Sequence, residues 1–223
     1  MDWTSINDQI SYLKSQEEPL SADVICIKGD ENTWIFDVGQ SDEAYEKVRA
    51  IEGHKNIVLS HFHGDHIGNI GRLMETVGDD VTLFVSKQTQ KYTQKHTQMY
   101  ASSEVLVEGE LLLKDGVDIR IIPMPSSHSK GCLVLEVEGE YAFLGDSAYP
   151  MHKDGKRVYN VQKLKEQMAV VNELQASKLY LSHEDRPVIS KNAIAKFLES
   201  VYEKRDSQDV FIELKDKKAH KSI

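Results

Sequence analysis

The stretch Ser60–Asn69 reads Ser-His-Phe-His-Gly-Asp-His-Ile-Gly-Asn, so His61, His63, Asp65 and His66 fall within six positions. Imidazoles are costly to bury without partners, and several protonated ones in one place repel each other. A divalent metal resolves both problems, because neutral imidazoles and carboxylates are its ligands. Three more polar residues stand alone at the ends of apolar runs. His128 follows Ile119–Pro125, Asp146 ends the run from Tyr141, and His183 ends the run from Lys178. Open sheets present their site residues at such strand ends. A structural zinc site is closed and mostly cysteine-lined. Seven nitrogen and oxygen donors without a cysteine point to an open, reactive centre.

The elements that must position these residues are visible in the pattern. Asn56–Ser60 is a short apolar run, as in a buried strand. Ile70, Leu73, Met74 and Val77 are spaced i, i+3, i+4, i+7 with Gly78 as a stop, which predicts a helix. The cluster is therefore expected on a strand-to-helix loop, with Gly64 and Gly68 letting the backbone fold back. Upstream, Ala22–Lys28 and Thr33–Val38 read as a hairpin turning at Gly29–Asn32. Asp37 is a carboxylate inside the second of these strands. It is either a turn residue ahead of Gly39 or a group that orients a metal-binding histidine.

Ser41 opens a helix carrying Ala44, Val48 and Ile51, closed by Gly53. Val81–Val85, Glu104–Val107, Glu110–Lys114, Val117–Ile122 and Cys132–Glu138 read as further strands. Ser86–Tyr100 has little apolar face at either period; a surface helix or a lid over the site fits it, with His96 as an exposed histidine. Tyr149–Tyr159 reads as a polar loop. Val161, Leu164, Met168, Val171 and Gln175 mark a helix, Ser190 caps a last one with Ile194, Phe197, Leu198 and Val201, and Val210–Leu214 adds a terminal strand. Residues 1–20 read as a short helix or edge segment, and Lys215–Ile223 as a frayed tail. The pattern alone gives α/β or α+β.

The chain has 223 residues, of which 40% are hydrophobic, as in an ordinary globular protein with a proper core. No run approaches the roughly 18 apolar residues of a membrane span, and Met1–Thr4 lacks the basic and apolar parts of a signal peptide. Net charge is −9 and the pI about 5.5, which disfavours nucleic acid and membrane surfaces as partners. Cys26 and Cys132 lie in apolar runs and read as buried free thiols, which fits a cytoplasmic protein.

His61-X-His63-X-Asp65-His66, followed in order by His128, Asp146 and His183, resembles the metallo-β-lactamase fold superfamily of hydrolases. The likeness runs from Asp37 to His183. It implies one α+β domain over residues 1–223, a four-layer αββα sandwich of two mixed sheets with helices outside. It implies two divalent ions. One is held by His61, His63 and His128, the other by Asp65, His66 and His183, with Asp146 bridging them and Asp37 behind the ligands. Zinc is the expected metal; iron and manganese suit the same ligands. Asp65 is the candidate catalytic carboxylate. The implied activity is hydrolysis by a metal-bound hydroxide. Antibiotic-hydrolysing relatives with a cysteine at the Asp146 position, and flavodiiron relatives with a glutamate at the His63 position, depart from this pattern. The chain is more similar to the glyoxalase II, lactonase and ribonuclease Z branches. A small ester, thioester, lactone or phosphoester is the expected substrate, with a ribonuclease Z-type phosphodiesterase as the alternative.

Only residues 184–223 follow the last ligand, so the pocket is expected from Ser86–Tyr100 and Tyr149–Tyr159. Lys153, Lys156, Arg157, Lys163 and Lys165 outnumber Asp154 and Glu166 in the segment after Asp146. Such a run is either a solvated face or a collar for an anionic small molecule, with Tyr149, His152, Lys156, Arg157 and Tyr159 as its contacts. A homodimer is left open.

Overall fold

Trp34, Ile35 and Phe36 are all buried, although successive strand residues point to opposite faces. Both faces of that strand must therefore be covered. The computed structural model describes residues 2–96, 104–185 and 187–214. The strands are β1 (Thr4–Ser5), β2 (Ile10–Leu13), β3 (Gln16–Glu17), β4 (Leu20–Ser21), β5 (Val24–Lys28), β6 (Thr33–Phe36), β7 (Lys55–Val58), β8 (Val81–Val85), β9 (Glu104–Leu106), β10 (Leu111–Lys114), β11 (Asp118–Met124), β12 (Cys132–Val137), β13 (Tyr141–Phe143), β14 (Met151–Lys153), β15 (Lys156–Asn160), β16 (Lys178–Tyr180), β17 (Val188–Ser190) and β18 (Phe211–Glu213). The helices are α1 (Asp42–Arg49), α2 (Gly64–Ile67), α3 (Ile70–Val77), α4 (Lys87–His96), α5 (Val161–Glu173) and α6 (Lys191–Tyr202).

One sheet has the order β1-β2-β5-β6-β7-β8-β9 and the other β10-β11-β12-β13-β16-β17. Both are mixed: β6 to β9 run parallel, as do β13 and β16, and the remaining pairs are antiparallel. Three apolar clusters fill the gaps between layers. Trp34, Phe36, Val58 and Phe84 meet Ile119, Ile121, Leu133 and Phe143 between the sheets. Ile35, Ile57, Leu59 and Leu83 point the other way, onto Ala44, Val48, Leu73 and Met74 of α1 and α3. Val134, Ala142 and Leu179 leave the second sheet towards Leu164, Val171, Ile194 and Leu198 of α5 and α6. The order helix, sheet, sheet, helix bears out the expected αββα architecture.

Of the two readings of the first twenty residues, a short helix or an edge segment, the second holds: β1 and β2 lie at the edge of the first sheet, where β2 pairs with β5 and its Ile10 and Leu13 are buried on opposite faces. Tyr149–Tyr159 is not a loop but the hairpin β14–β15. Its two-residue turn, Asp154-Gly155, has φ of 52° and 76°, the left-handed pair that Asp-Gly hairpins supply. Within Ser86–Tyr100 the helix reading holds over α4, Lys87–His96. Its buried face is made by Thr89 and Thr93, so no apolar period marks it. The tail from Lys215 and residues 97–103 lie outside the described residues, as does the side chain of His96. No described helix is long and apolar enough to cross a membrane.

A carboxylate ties the two sheets together at one end. Asp115, in the β10–β11 turn, accepts from the backbone N–H of Glu31 (2.8 Å) and Asn32 (3.1 Å) and from the Trp34 indole (3.0 Å). Its backbone oxygen accepts from Asp30 (2.8 Å). Burial works against its ionisation, but these donors outweigh it and hold its pKa below the ordinary carboxylate value. Asp115→Ala should therefore cost about 2 kcal/mol of stability in denaturant titration, because it strands the buried Trp34 indole N–H and takes the acceptor from two half-exposed backbone N–H groups. Since the folded pKa is depressed, this contribution is present above the unfolded value and is lost as pH falls through the folded one. An unchanged unfolding midpoint would show that water replaces the carboxylate at no cost.

Candidate metal centre

All seven candidate ligands leave the ends of the central strands. His61 follows β7 through Leu59 and Ser60, Asp146 follows β13, His183 follows β16, and His128 follows β11. Asp65 and His66 lie not on a loop but on the one-turn helix α2, with His63 as its N-cap. Gly64 and Gly68 have ordinary right-handed backbone rather than a fold-back. Gly68 is needed for closeness instead: a Cβ there would stand 2.9 Å from the Gln40 side chain. Left-handed backbone appears where three strands end, at Asp37 (φ 60°), Gly145 (φ 52°) and His183 (φ 65°). The two non-glycine cases cost about 1–2 kcal/mol each. They are held by Asp37 N–H donating to Val58 O (3.0 Å) and His183 N–H donating to Asp23 Oδ2 (2.9 Å).

The donor atoms fall into two groups, each with its members within 4.8 Å of one another: His61, His63 and His128, and Asp65, His66, Asp146 and His183. Asp146 faces both. Its Oδ2 lies 3.3 Å from His128 Nε2, while its Oδ1 lies 3.4 Å from His66 Nε2 and 3.8 Å from His183 Nε2. In the first group, His63 Nδ1 lies 2.9 Å from His61 Nε2 and 3.0 Å from His128 Nε2.

Asp37, fully buried, sets the tautomers. Its Oδ1 accepts from Ser60 N–H (2.7 Å), and its Oδ2 accepts from Ser60 Oγ–H (2.7 Å) and His66 Nδ1–H (2.7 Å). Ser60 Oγ, having spent its hydrogen, accepts from His61 Nδ1–H (2.9 Å). Both rings thus turn Nε2 into the site. Ser60 can sit there because Gly145, whose Cβ would meet Ser60 Oγ at 2.8 Å, has none.

The electrostatics fit a cation. Burial, then the neighbouring imidazoles, press His61 well below the usual histidine range; burial chiefly lowers His63 and His128 as well. These rings are neutral and carry lone pairs. Burial alone would lower His66 too, but Asp37 and Asp146 outweigh it and raise its pKa far above 6.5. For Asp65, burial is outweighed by His183 and His66, which bring it down to about 2, and His66 likewise holds Asp146 low. His66 Nε2 and Asp146 Oδ1 are buried with no hydrogen-bond partner. Orphaned polar atoms converging with neutral imidazoles and ionised carboxylates are what a divalent ion satisfies.

The centre floors an open cleft of about 470 Å³, walled by Leu20, Tyr149, Pro150, His152 and Arg157. Tyr149 Oη lies 2.6 Å from Ser182 O and 2.9 Å from Glu184 Oε1, and burial with the Glu184 charge raises its pKa. Phe62, between His61 and His63, stacks on Tyr92 of α4 at 4.1 Å.

The sequence profile of the metallo-beta-lactamase superfamily matches residues 18–183. The chain belongs to that superfamily. Members of this superfamily bind divalent metals and are largely metal-dependent hydrolases, although some, such as flavodiiron proteins, are not hydrolytic. Solved structures agree in fold. A subclass B3 metallo-β-lactamase with an active-site glutamic acid superposes with a TM-score of 0.69 at 15% identity, over 92% of this chain and 90% of that one. A superfamily member from the archaeon Sulfolobus tokodaii gives 0.63 at 19% identity, over 90% and 89%. A flavo di-iron protein mutant from Thermotoga maritima gives 0.67 at 13%, over 90% of this chain and 61% of its own. None of the curated proteins compared matches the sequence.

Of the residues expected around the substrate, Tyr149, His152 and Arg157 line the cleft. Lys156 and Tyr159 do not. Lys156 points to the hairpin's other face and pairs with Glu213 at 2.6 Å. Tyr159 is fully buried in the core under α5, its hydroxyl donating to Ala148 O at 2.7 Å. Three contributors escaped the sequence reading: Ser60, Leu20 and Asp23. Asp23 had a signal, a lone carboxylate at the head of the apolar run Val24–Ile27.

Because Asp37 orients a ligand in each group, Asp37→Asn should lower metal affinity by about 10–100-fold. Asparagine tolerates the left-handed backbone, so the fold should persist. Chelator competition measures the change; equal affinity for both proteins would remove Asp37 from the metal's support.

Proposed function

We propose that this superfamily member is a hydrolase of small esters, thioesters, lactones or phosphoesters that works with two divalent ions, zinc being the first expectation. The observation that supports it is the pair of donor groups sharing Asp146 at the floor of an open cleft. Bound there, the ions would polarise the scissile oxygen and bring the pKa of water down towards about 7. His61, His63 and His128 would hold one ion, Asp65, His66 and His183 the other, and Asp146 both. Asp37 keeps the proton on His66 Nδ1, and Ser60 keeps that on His61 Nδ1, so Nε2 is in each ring the nitrogen that would meet an ion, which would take the place of the second proton on His66. Asp65 remains ionised at neutral pH, which suits it to holding positive charge and not to donating a proton. Leu20, Pro150 and Tyr149 give the cleft apolar walls that displace water from a bound acyl group.

A cleft of about 470 Å³ and a net charge of −9 favour a small molecule over nucleic acid. The B3 β-lactamase likeness, at 15% identity, is one of fold. Two buried free thiols agree with a cytoplasmic setting.

Gently purified protein should carry near two metal equivalents and hydrolyse some member of a chromogenic ester, lactone, thioester and phosphodiester panel. Asp146→Ala should lose about one equivalent and more than about a hundredfold in kcat, since even outer partners of ligands are worth 10–100-fold. A single tightly held ion, or an Asp146→Ala protein that turns over normally, would overturn the two-ion reading.

A further inference from the structure

The turn that carries Asp146 is held from beneath by buried side chains that play no direct part in the proposed chemistry. Gln167 is completely buried on the inward stripe of α5, between Leu164 and Val171. A buried amide works against folding unless it is hydrogen-bonded. Its Nε2 donates to Ser147 O, but its Oε1 is buried with no partner. A methionine, similar in length and apolar, would fill the same place without stranding an oxygen. Stability therefore does not account for a glutamine here, whereas the bond to Ser147 does.

Two more buried donors converge on the same turn. Ser126 Oγ–H donates to Ser147 O (2.7 Å) and accepts from His128 N–H (3.0 Å). Tyr159 Oη–H donates to the next carbonyl, Ala148 O (2.7 Å). Beside it, Asn160 N–H donates to Ser127 Oγ (2.9 Å). The β15–α5 junction thus grips both loops whose ligands face each other, His128 Nε2 lying 3.3 Å from Asp146 Oδ2. The turn itself is tight: Ser147 N–H donates to Leu144 O (3.1 Å) and Tyr149 N–H to Asp146 O (2.9 Å), so a shift of these carbonyls moves Asp146 with them.

We propose that Gln167 and Tyr159 are positioning residues for Asp146, setting through the Ser147 and Ala148 carbonyls where its carboxylate stands between the two donor groups. The proposal rests on the reading of this site as a metal centre. A carboxylate that must face two groups has little freedom, since a move towards one is a move away from the other. Asp37 and Ser60 steady His61 and His66 from the first sheet by bonds to their rings. Gln167 and Tyr159 do the corresponding work from the α5 side, through the main chain, and such outer partners tune metal affinity.

The test uses the full-length protein, stripped of metal and titrated with cobalt(II) against a chelator, with denaturant titration of the metal-free protein beside it. Gln167→Met and Tyr159→Phe should each weaken cobalt binding roughly three- to tenfold, the worth of one hydrogen bond, and alter the visible absorption of the bound cobalt. Metal-free Gln167→Met should be at least as stable as wild type. Because Ser147 O takes two donors, Ser126→Ala combined with Gln167→Met should lose more than the product of the single losses. Asp115→Ala is the control: its bonds lie where β6 begins, at the other edge of the sheets, so it lowers stability and should leave cobalt affinity unchanged. Wild-type affinity in both Gln167→Met and Tyr159→Phe overturns the proposal, as does an equal loss in Asp115→Ala, which would mark general loosening. A loss in one alone keeps that residue and removes the other. Should Gln167→Met fail to fold, Tyr159→Phe decides, since it removes a single oxygen and keeps the ring. A wild type that takes up one cobalt ion instead of two refutes the two-ion reading, while the affinity for that ion still judges Gln167 and Tyr159; one that takes up none refutes both.

Discussion

A fully buried carboxylate, Asp37, is the anion around which the site closes. Its two oxygens take three donors, two from Ser60 and one from His66. An unpaired buried carboxylate would cost several kcal/mol, so the end of β6, the exit of β7 and helix α2 are held in one arrangement. The consequence reaches the chemistry directly. A ring nitrogen that donates backwards leaves the other one to face forwards, so a single buried charge chooses the donor atom of one histidine in each group. The left-handed backbone at Asp37 is the cost of turning that carboxylate under the ligands, and the Val58 carbonyl that receives its N–H helps hold it there.

The sandwich explains why such a site is affordable. At the site, neutral imidazoles pressed together, the partnerless His66 Nε2 and Asp146 Oδ1, and the left-handed backbone of Asp37 and His183 all work against folding. They are concentrated at one edge, while three apolar clusters fill the spaces between four layers. The parallel strands matter here. Because β6, β7 and β8 run together, as do β13 and β16, their ends open on the same edge. Residues far apart in the chain, from Asp37 to His183, then need only short exits to meet. The backbone bond from Leu133 N–H to Ser60 O, at 2.8 Å, ties the second sheet to the loop that carries His61.

Much of this was legible in the sequence, for physical reasons that also say where legibility ends. The pattern of apolar runs gave only α/β or α+β, and the αββα sandwich came from the resemblance carried by the ligand motif; the candidate ligands themselves showed as a density of histidine that packing alone does not account for and as lone polar residues at strand ends. Asp37 was visible because a carboxylate in an apolar strand is expensive; Asp23 was equally visible and went unread. Ser60 was not visible, since a serine before a histidine has no cost to betray it. Helix α4 hid its buried face in Thr89 and Thr93, which cover a neighbour without registering as apolar. The N-terminal strands β1 to β4 are only two to four residues long, too short for a period to declare itself. Their place is set by pairing: β2 on β5, β1 on β2, and β3 with β4 in a ribbon of their own.

The basic segment after Asp146 shows how strand alternation turns composition into specificity. Counted along the chain, its cations look like a collar. Folded as a hairpin, adjacent residues divide between two environments: Lys156 faces Glu213, Arg157 faces the cleft, Val158 is covered and Tyr159 lies beneath α5. A charge run therefore says how many cations are near a site, but parity and register say which of them meet a ligand. The same alternation lets Trp34, Ile35 and Phe36 serve two different cores. In both places one rule acts on neighbouring residues, filling two layers in the interior and separating a candidate binding face from a solvated one at the rim.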